Sequence, residues 1–236
     1  MDITISTCIT ACIAILAYGV ALSKFLPRAY HWFSNSIFVL FLLLWSRLLG
    51  LSADQLGVGA RYIASGILVA LTLSIIFIAI ALFVATVPRL QGYFLSQDSI
   101  LKTKNSRIAF ETMFRIPLVT ALFEEFVFRG FLLALFLSIE TTTSAILYSS
   151  IIFGLWHIFP AINGMNQDHY NALKNQSKHK KFAFVCFNVA STAVAGLFFS
   201  WLRIVANSVV APWLLHSTIN AGGVVAVLFA NKRNSS

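Results

Sequence analysis

Two adjacent carboxylates, Glu124 and Glu125, and an arginine, Arg129, stand inside a stretch from Ile116 to Ile139 that is otherwise dominated by Leu, Phe, Val and Ala. A carboxylate near the middle of a membrane helix costs on the order of ~3 kcal/mol on the insertion scale, so such a residue is by default a functional-site hypothesis, weighed against a structural ion pair. The chain has only eight acidic residues, and two of them sit here side by side. Three further polar residues interrupt later apolar segments. His157 ends Phe153-Gly154-Leu155-Trp156-His157, and His216 and Asn220 bound His216-Ser217-Thr218-Ile219-Asn220. An acid, two imidazoles and an amide are the ingredients of proton transfer.

The elements that must position these residues are membrane helices. Hydrophobic residues make up 58% of the chain and charged residues 11%, with a mean hydropathy of +0.83. Soluble domains carry roughly 25% charged residues, so the composition predicts an all-α, polytopic membrane bundle of about seven to eight transmembrane helices, forming one membrane domain over 1–236. The spans expected are about Ile3–Leu22, Ser36–Leu51, Ile63–Val87, Ile116–Ile139, Ser144–Phe159, Phe182–Leu202 and Asn207–Ala230. The chemistry falls within 116–230. The first segment opens with Asp2 and reads as an uncleaved span, not a signal peptide. Residues Arg89–Arg115 form a basic connection that lies on the membrane or adds a helix. A polar loop covers Asn163–Lys181, where His169 and His179 are solvated.

A net charge of +9 could suggest nucleic acid, but no soluble basic domain is there to carry such binding. The basic residues instead set topology. All of the 17 except Arg47, Arg61, Arg203 and Arg129 fall on one side of a seven-span arrangement. By the positive-inside rule that side is cytoplasmic, with the N-terminus outside and the C-terminus inside. Cys8, Cys12 and Cys186 show no redox or metal spacing and read as small buried thiols.

Helical spacing divides the acids. Glu125 and Arg129 are four apart and can form an intrahelical ion pair, whereas Glu124 points about 100° away. Glu125 is therefore the candidate for neutralising Arg129, and Glu124 the candidate for chemistry. His216 and Asn220 share one helix face. Span four enters from the cytoplasmic side and puts Glu124 about 12 Å deep. His157, His216 and Asn220 also fall in the cytoplasmic half, on two other spans. A lone membrane histidine is usually a hydrogen-bonded core residue, and Asn220 alone could be interhelical glue. Agreement in depth between four such residues favours a site. Phe153 and Trp156 read as packing.

The motifs Glu-Glu-x-x-x-Arg at 124–129, Phe-x-x-x-His at 153–157 and His-x-x-x-Asn at 216–220 resemble, in order and spacing, those of the CPBP (CAAX protease and bacteriocin-processing, or Abi) intramembrane endopeptidases. The resemblance covers about Leu118–Gly223. It implies a helical bundle around a cytosol-facing cavity, a peptide or protein substrate that can carry a prenylated C-terminus, and membrane lipids as surroundings. It implies a multi-pass protein of a bacterial cytoplasmic membrane. Glu124 would be the general base on water, His157 would hold that water or move its proton, and His216 and Asn220 would donate to the oxyanion, with Glu125 and Arg129 supporting. Zinc, if used, would be held by Glu124, His157 and His216. The absence of an H-E-x-x-H helix favours chemistry without a cofactor. The competing readings are a proton-coupled transporter using the same relay and a non-proteolytic bacteriocin-immunity or scaffold protein. Transporters commonly show internal repeats, and none is visible here.

Overall fold

Thr4 starts the first helix, its hydroxyl accepting from the Thr7 amide while the Thr7 side chain answers the Thr4 amide. Such a reciprocal cap satisfies two of the free donors at a helix start. The computed structural model describes residues 2–87, 103–165 and 177–234, and every element in them is helical. The long helices are α1 (Ile5–Phe25), α2 (His31–Leu48) and α3 (Ile63–Thr86), then α4 over residues 105–137. They are followed by α5 (Thr142–Trp156), a short α6 (Ile158–Met165), α7 (Lys178–Ala206) and α8 (Val210–Asn234). Arg89 and Lys102 of the basic connection, and Asp168, His169 and Lys174 of the polar loop, lie outside the described residues.

Among the described residues, six stretches are long and apolar enough to cross a membrane: Ile5–Phe25, Arg28–Leu48, Ala60–Thr86, Thr142–Gly164, Lys178–Ala206 and Val210–Lys232. That number is close to the seven to eight spans expected from composition, and α4 lies among these helices. Large apolar side chains such as Leu40, Leu44, Leu68, Ile75 and Phe83 point outward and are exposed. In water this arrangement would be costly; facing lipid it is the solvent-matched surface. The second half of α4 is the reverse. Every residue from Phe126 to Phe136 is buried, so the helix bearing the charges is the central one.

α4 is also wound unusually. Two wide π-helical stretches, Glu111–Ala121 and Phe126–Leu132, flank a four-residue α-helical segment, Leu122–Glu125, that carries both acids. The expected span Ile116–Ile139 would put Pro117 in a first turn, but it lies well inside the helix, because the described helix already begins at Asn105. A proline in a helix interior removes one donor and crowds the preceding turn, and a wide turn relieves both. Three neighbouring helices fasten on α4's carbonyls. Trp213 Nε1 of α8 donates to Pro117 O at 2.8 Å. Asn35 Nδ2 of α2 donates to Val119 O at 2.9 Å and is itself held by the Tyr18 hydroxyl of α1. Ser149 Oγ of α5 donates to Phe128 O at 2.8 Å. Buried backbone groups need such partners.

α8 packs along α3 and the first half of α4, and α7 packs along α5. The α5–α7 contact is close because it is made of small residues, as in many membrane helix pairs. A Cβ built on Gly154 would lie 2.7 Å from the Val189 carbonyl oxygen and 2.9 Å from the Ala193 Cβ. Gly154→Ala is therefore expected to push α5 away from α7 and cost about 1–3 kcal/mol. Thermal melting in detergent checks this, and a variant that melts like the parent would show that the contact yields freely. α6 turns back on α1, where Asn163 Nδ2 donates to Ser23 O at 3.1 Å. Cys8 is buried and Cys12 half-buried, but Cys186, expected inside, is exposed on α7.

Candidate active site

Glu125 and Arg129 are both completely buried, and Arg129 Nη1 donates to Glu125 Oε1 at 3.1 Å. The ion pair read from the i, i+4 spacing is formed. The same Glu125 oxygen takes a second bond, from His216 Nδ1 at 2.7 Å. The carboxylate accepts, so Nδ1 carries the proton. The other imidazole nitrogen, Nε2, is turned towards Glu124 and stands 4.0 Å from its Oε2. Glu125 is thus clamped from its own helix and from α8. Glu124 keeps a little exposure, 8% against zero for its neighbour. The two acids, equal in sequence, are unequal in surroundings.

The guanidinium is enclosed by rings. Phe153 of α5 lies with its centroid 4.0 Å from Arg129 Cζ, and Phe199 of α7 at 5.4 Å. Arg129 Nε and Nη2 and Glu125 Oε2 are buried without a hydrogen-bond partner among the described residues. Aromatic faces supply part of what is missing, because the ring quadrupole attracts a desolvated cation and a guanidinium stacks well. Phe153 read as packing from sequence; it is instead a wall of the charged cluster. Phe199 carried no signal at all.

His157 sits at the break between α5 and α6 and is half-buried. Its Nδ1 lies 2.8 Å from Phe153 O. A carbonyl can only accept, so Nδ1 donates and a neutral His157 has Nε2 free to accept. Its ring meets Phe153 edge to face, with centroids 4.6 Å apart. His157 is thereby linked to the cluster through Phe153. Asn220, one turn beyond His216, is exposed. The geometry therefore brings Glu124, Glu125, Arg129 and His216 together, places His157 next to them through a shared ring, and leaves Asn220 exposed one turn along α8.

Residues 107–222 match the family model described as type II CAAX prenyl endopeptidase Rce1-like. Over these residues the chain is similar to the Rce1-like family. The matched segment contains all three motifs and the whole charged cluster. The match implies, at family level, a CAAX-type intramembrane protease with a peptide or protein substrate, and the apolar helices are those of an integral membrane protein. No curated protein and no solved structure matches the chain.

Zinc is the one ion that the site residues bring into question. Glu124, His157 and His216 would have to converge, yet no group of three or more His, Cys, Asp or Glu that could hold a metal forms among the described residues. His216 gives Nδ1–H to Glu125, as metal-bound histidines commonly do to a carboxylate, and keeps Nε2 free, 4.0 Å from Glu124 Oε2. His157 meets the cluster through the Phe153 ring and forms no metal-holding group with the other two among the described residues, so as placed the trio does not make a zinc site.

Proposed function

We propose that this Rce1-like chain is a glutamate-dependent endopeptidase that cuts a peptide bond near the cytoplasmic face, on substrates with a lipidated, prenylated C-terminus. The observation that carries the reading is the inequality of the acids. Glu125 has its Oε1 shared by Arg129 and His216 and no exposure, so it is committed to holding those two partners. Glu124 is next to it, partly open and outside the hydrogen-bonded pair. A general base needs that combination of a low-dielectric setting and access to the attacking water.

In the reaction Glu124 removes a proton from water as the oxygen attacks the scissile carbonyl. His157 Nε2 accepts the other water proton as a hydrogen bond and so aims the lone pair. The tetrahedral oxyanion takes hydrogen bonds from Asn220 Nδ2 and His216 Nε2. Because His216 Nδ1–H is already given to Glu125, donation from Nε2 requires the doubly protonated ring. Two carboxylates and one guanidinium leave one negative charge in the cluster, and that imidazolium balances it. Collapse of the intermediate breaks the C–N bond, and the proton held by Glu124 goes to the leaving amine.

Purified protein in detergent or nanodiscs is expected to cut prenylated C-terminal peptides faster than unlipidated ones. Failure to cut either kind would sink the proposal. Asn220→Ala should fold normally and lower kcat by about 10²–10³-fold, the usual effect of losing one oxyanion donor. Phenanthroline should leave the rate unchanged; inhibition reversed by zinc would overturn the cofactor-free mechanism.

A further inference from the structure

α7 carries none of the three motifs, yet one of its side chains lies against two members of the charged cluster. Phe199 is buried, with 4% exposure. Its ring stacks on the His216 imidazole, centroids 5.1 Å apart and planes within 18°. Arg129 Cζ lies 5.4 Å from the centroid of the same ring. Phe199 thus touches the imidazole bonded to Glu125 and the guanidinium bonded to Glu125, from a third helix.

We propose that Phe199 is a positioning residue for His216, holding the imidazole in the plane that keeps Nδ1 on Glu125 and Nε2 towards Glu124. One hydrogen bond fixes one atom of a flat ring and leaves the ring free to swing about it. A second flat ring stacked alongside removes that freedom, which an aliphatic side chain of similar bulk cannot do because it has no plane. The phenyl face also presents its negative quadrupole to whichever cation adjoins it. That face is therefore suited to the imidazolium required during oxyanion stabilisation. The inference rests on the proposed peptidase reading for its kinetic consequence, but not for its structural one.

The test follows both. Phe199→Leu is expected to lower kcat about tenfold with KM within about twofold, the pattern of an interaction needed in the transition state and not for substrate binding. Phe199→Tyr keeps the ring and should return kcat to within about threefold of the parent. Phe199→Met substitutes if the Leu variant does not fold. All rates are taken well below each variant's melting temperature.

The second arm needs no substrate. Protein labelled with ¹⁵N-histidine is compared by NMR, with His216 assigned from the signals lost in His216→Gln. The parent and Phe199→Tyr should show one pair of His216 ring nitrogens, with Nδ1 protonated and hydrogen-bonded. Phe199→Leu should show that pair shifted and broadened by ring motion. An unchanged pair in Phe199→Leu overturns the proposal, as does an unaltered kcat in a preparation that cleaves peptide. If the parent cleaves nothing, the peptidase reading fails, and the NMR comparison still decides the role of Phe199.

Discussion

Replacing Glu124 by Gln is expected to reduce peptide cleavage by about 10²–10⁴-fold, the range for loss of a positioned general base, while changing stability by less than about 1 kcal/mol. The amide is nearly the same shape, so substrate should bind as before and the loss should fall on kcat. Stability is spared because Glu124 makes no hydrogen bond among the described residues, and its ion-pair contact with His216 Nε2 is a long one, 4.0 Å. The measurement is a full kinetic comparison with a prenylated peptide, beside thermal melting of the same two preparations. Substantial activity in Glu124→Gln would remove Glu124 from the mechanism. A large fall in melting temperature would mean that Glu124 supports the fold and that its neighbourhood is misread.

Much of this cluster could be read before any coordinates. Apolar runs mark the helices because membrane insertion imposes a length and a composition that few other pressures imitate. The Glu125–Arg129 pair follows from spacing alone, since groups four apart on a helix are neighbours. The wide turns of α4 are another matter. They are stabilised by Trp213, Asn35 and Ser149, which come from α8, α2 and α5 and act on carbonyl oxygens. A carbonyl oxygen has no sequence signature, so nothing local announces that Pro117 will lie deep within the helix. Long-range bonds decide that geometry.

The aromatic walls were hidden for a different reason. The chain has 22 phenylalanines, and a membrane bundle needs most of them for packing and lipid contact, so neither Phe153 nor Phe199 stands out. What distinguishes these two is the cation they enclose, a relation between α4, α5 and α7 that no window along the chain contains. The bond from His216 to Glu125 belongs to the same class. Matching depths brought His216 towards the acids, but choosing between two adjacent carboxylates takes a helix orientation that packing sets.

That choice makes Glu125→Gln the second large effect expected, and of the opposite kind. Arg129 would be left as a fully buried cation with no carboxylate on it. Breaking a buried pair from one side typically costs about 3–5 kcal/mol, because the surviving charge has lost its counterion and cannot recover water. His216 would keep an acceptor in the new amide oxygen, so the cost falls mainly on Arg129. Melting in detergent should therefore drop steeply, and removing both charges with Glu125→Gln/Arg129→Met should recover much of the loss, since apolar replacement of a whole buried pair is often neutral. The double variant separates stability from chemistry. If it is stable and still cleaves, Glu125 serves only to hold the helix together around Glu124. If Glu125→Gln alone melts like the parent and is inactive, the two carboxylates exchange roles, and the base is the one bonded to His216.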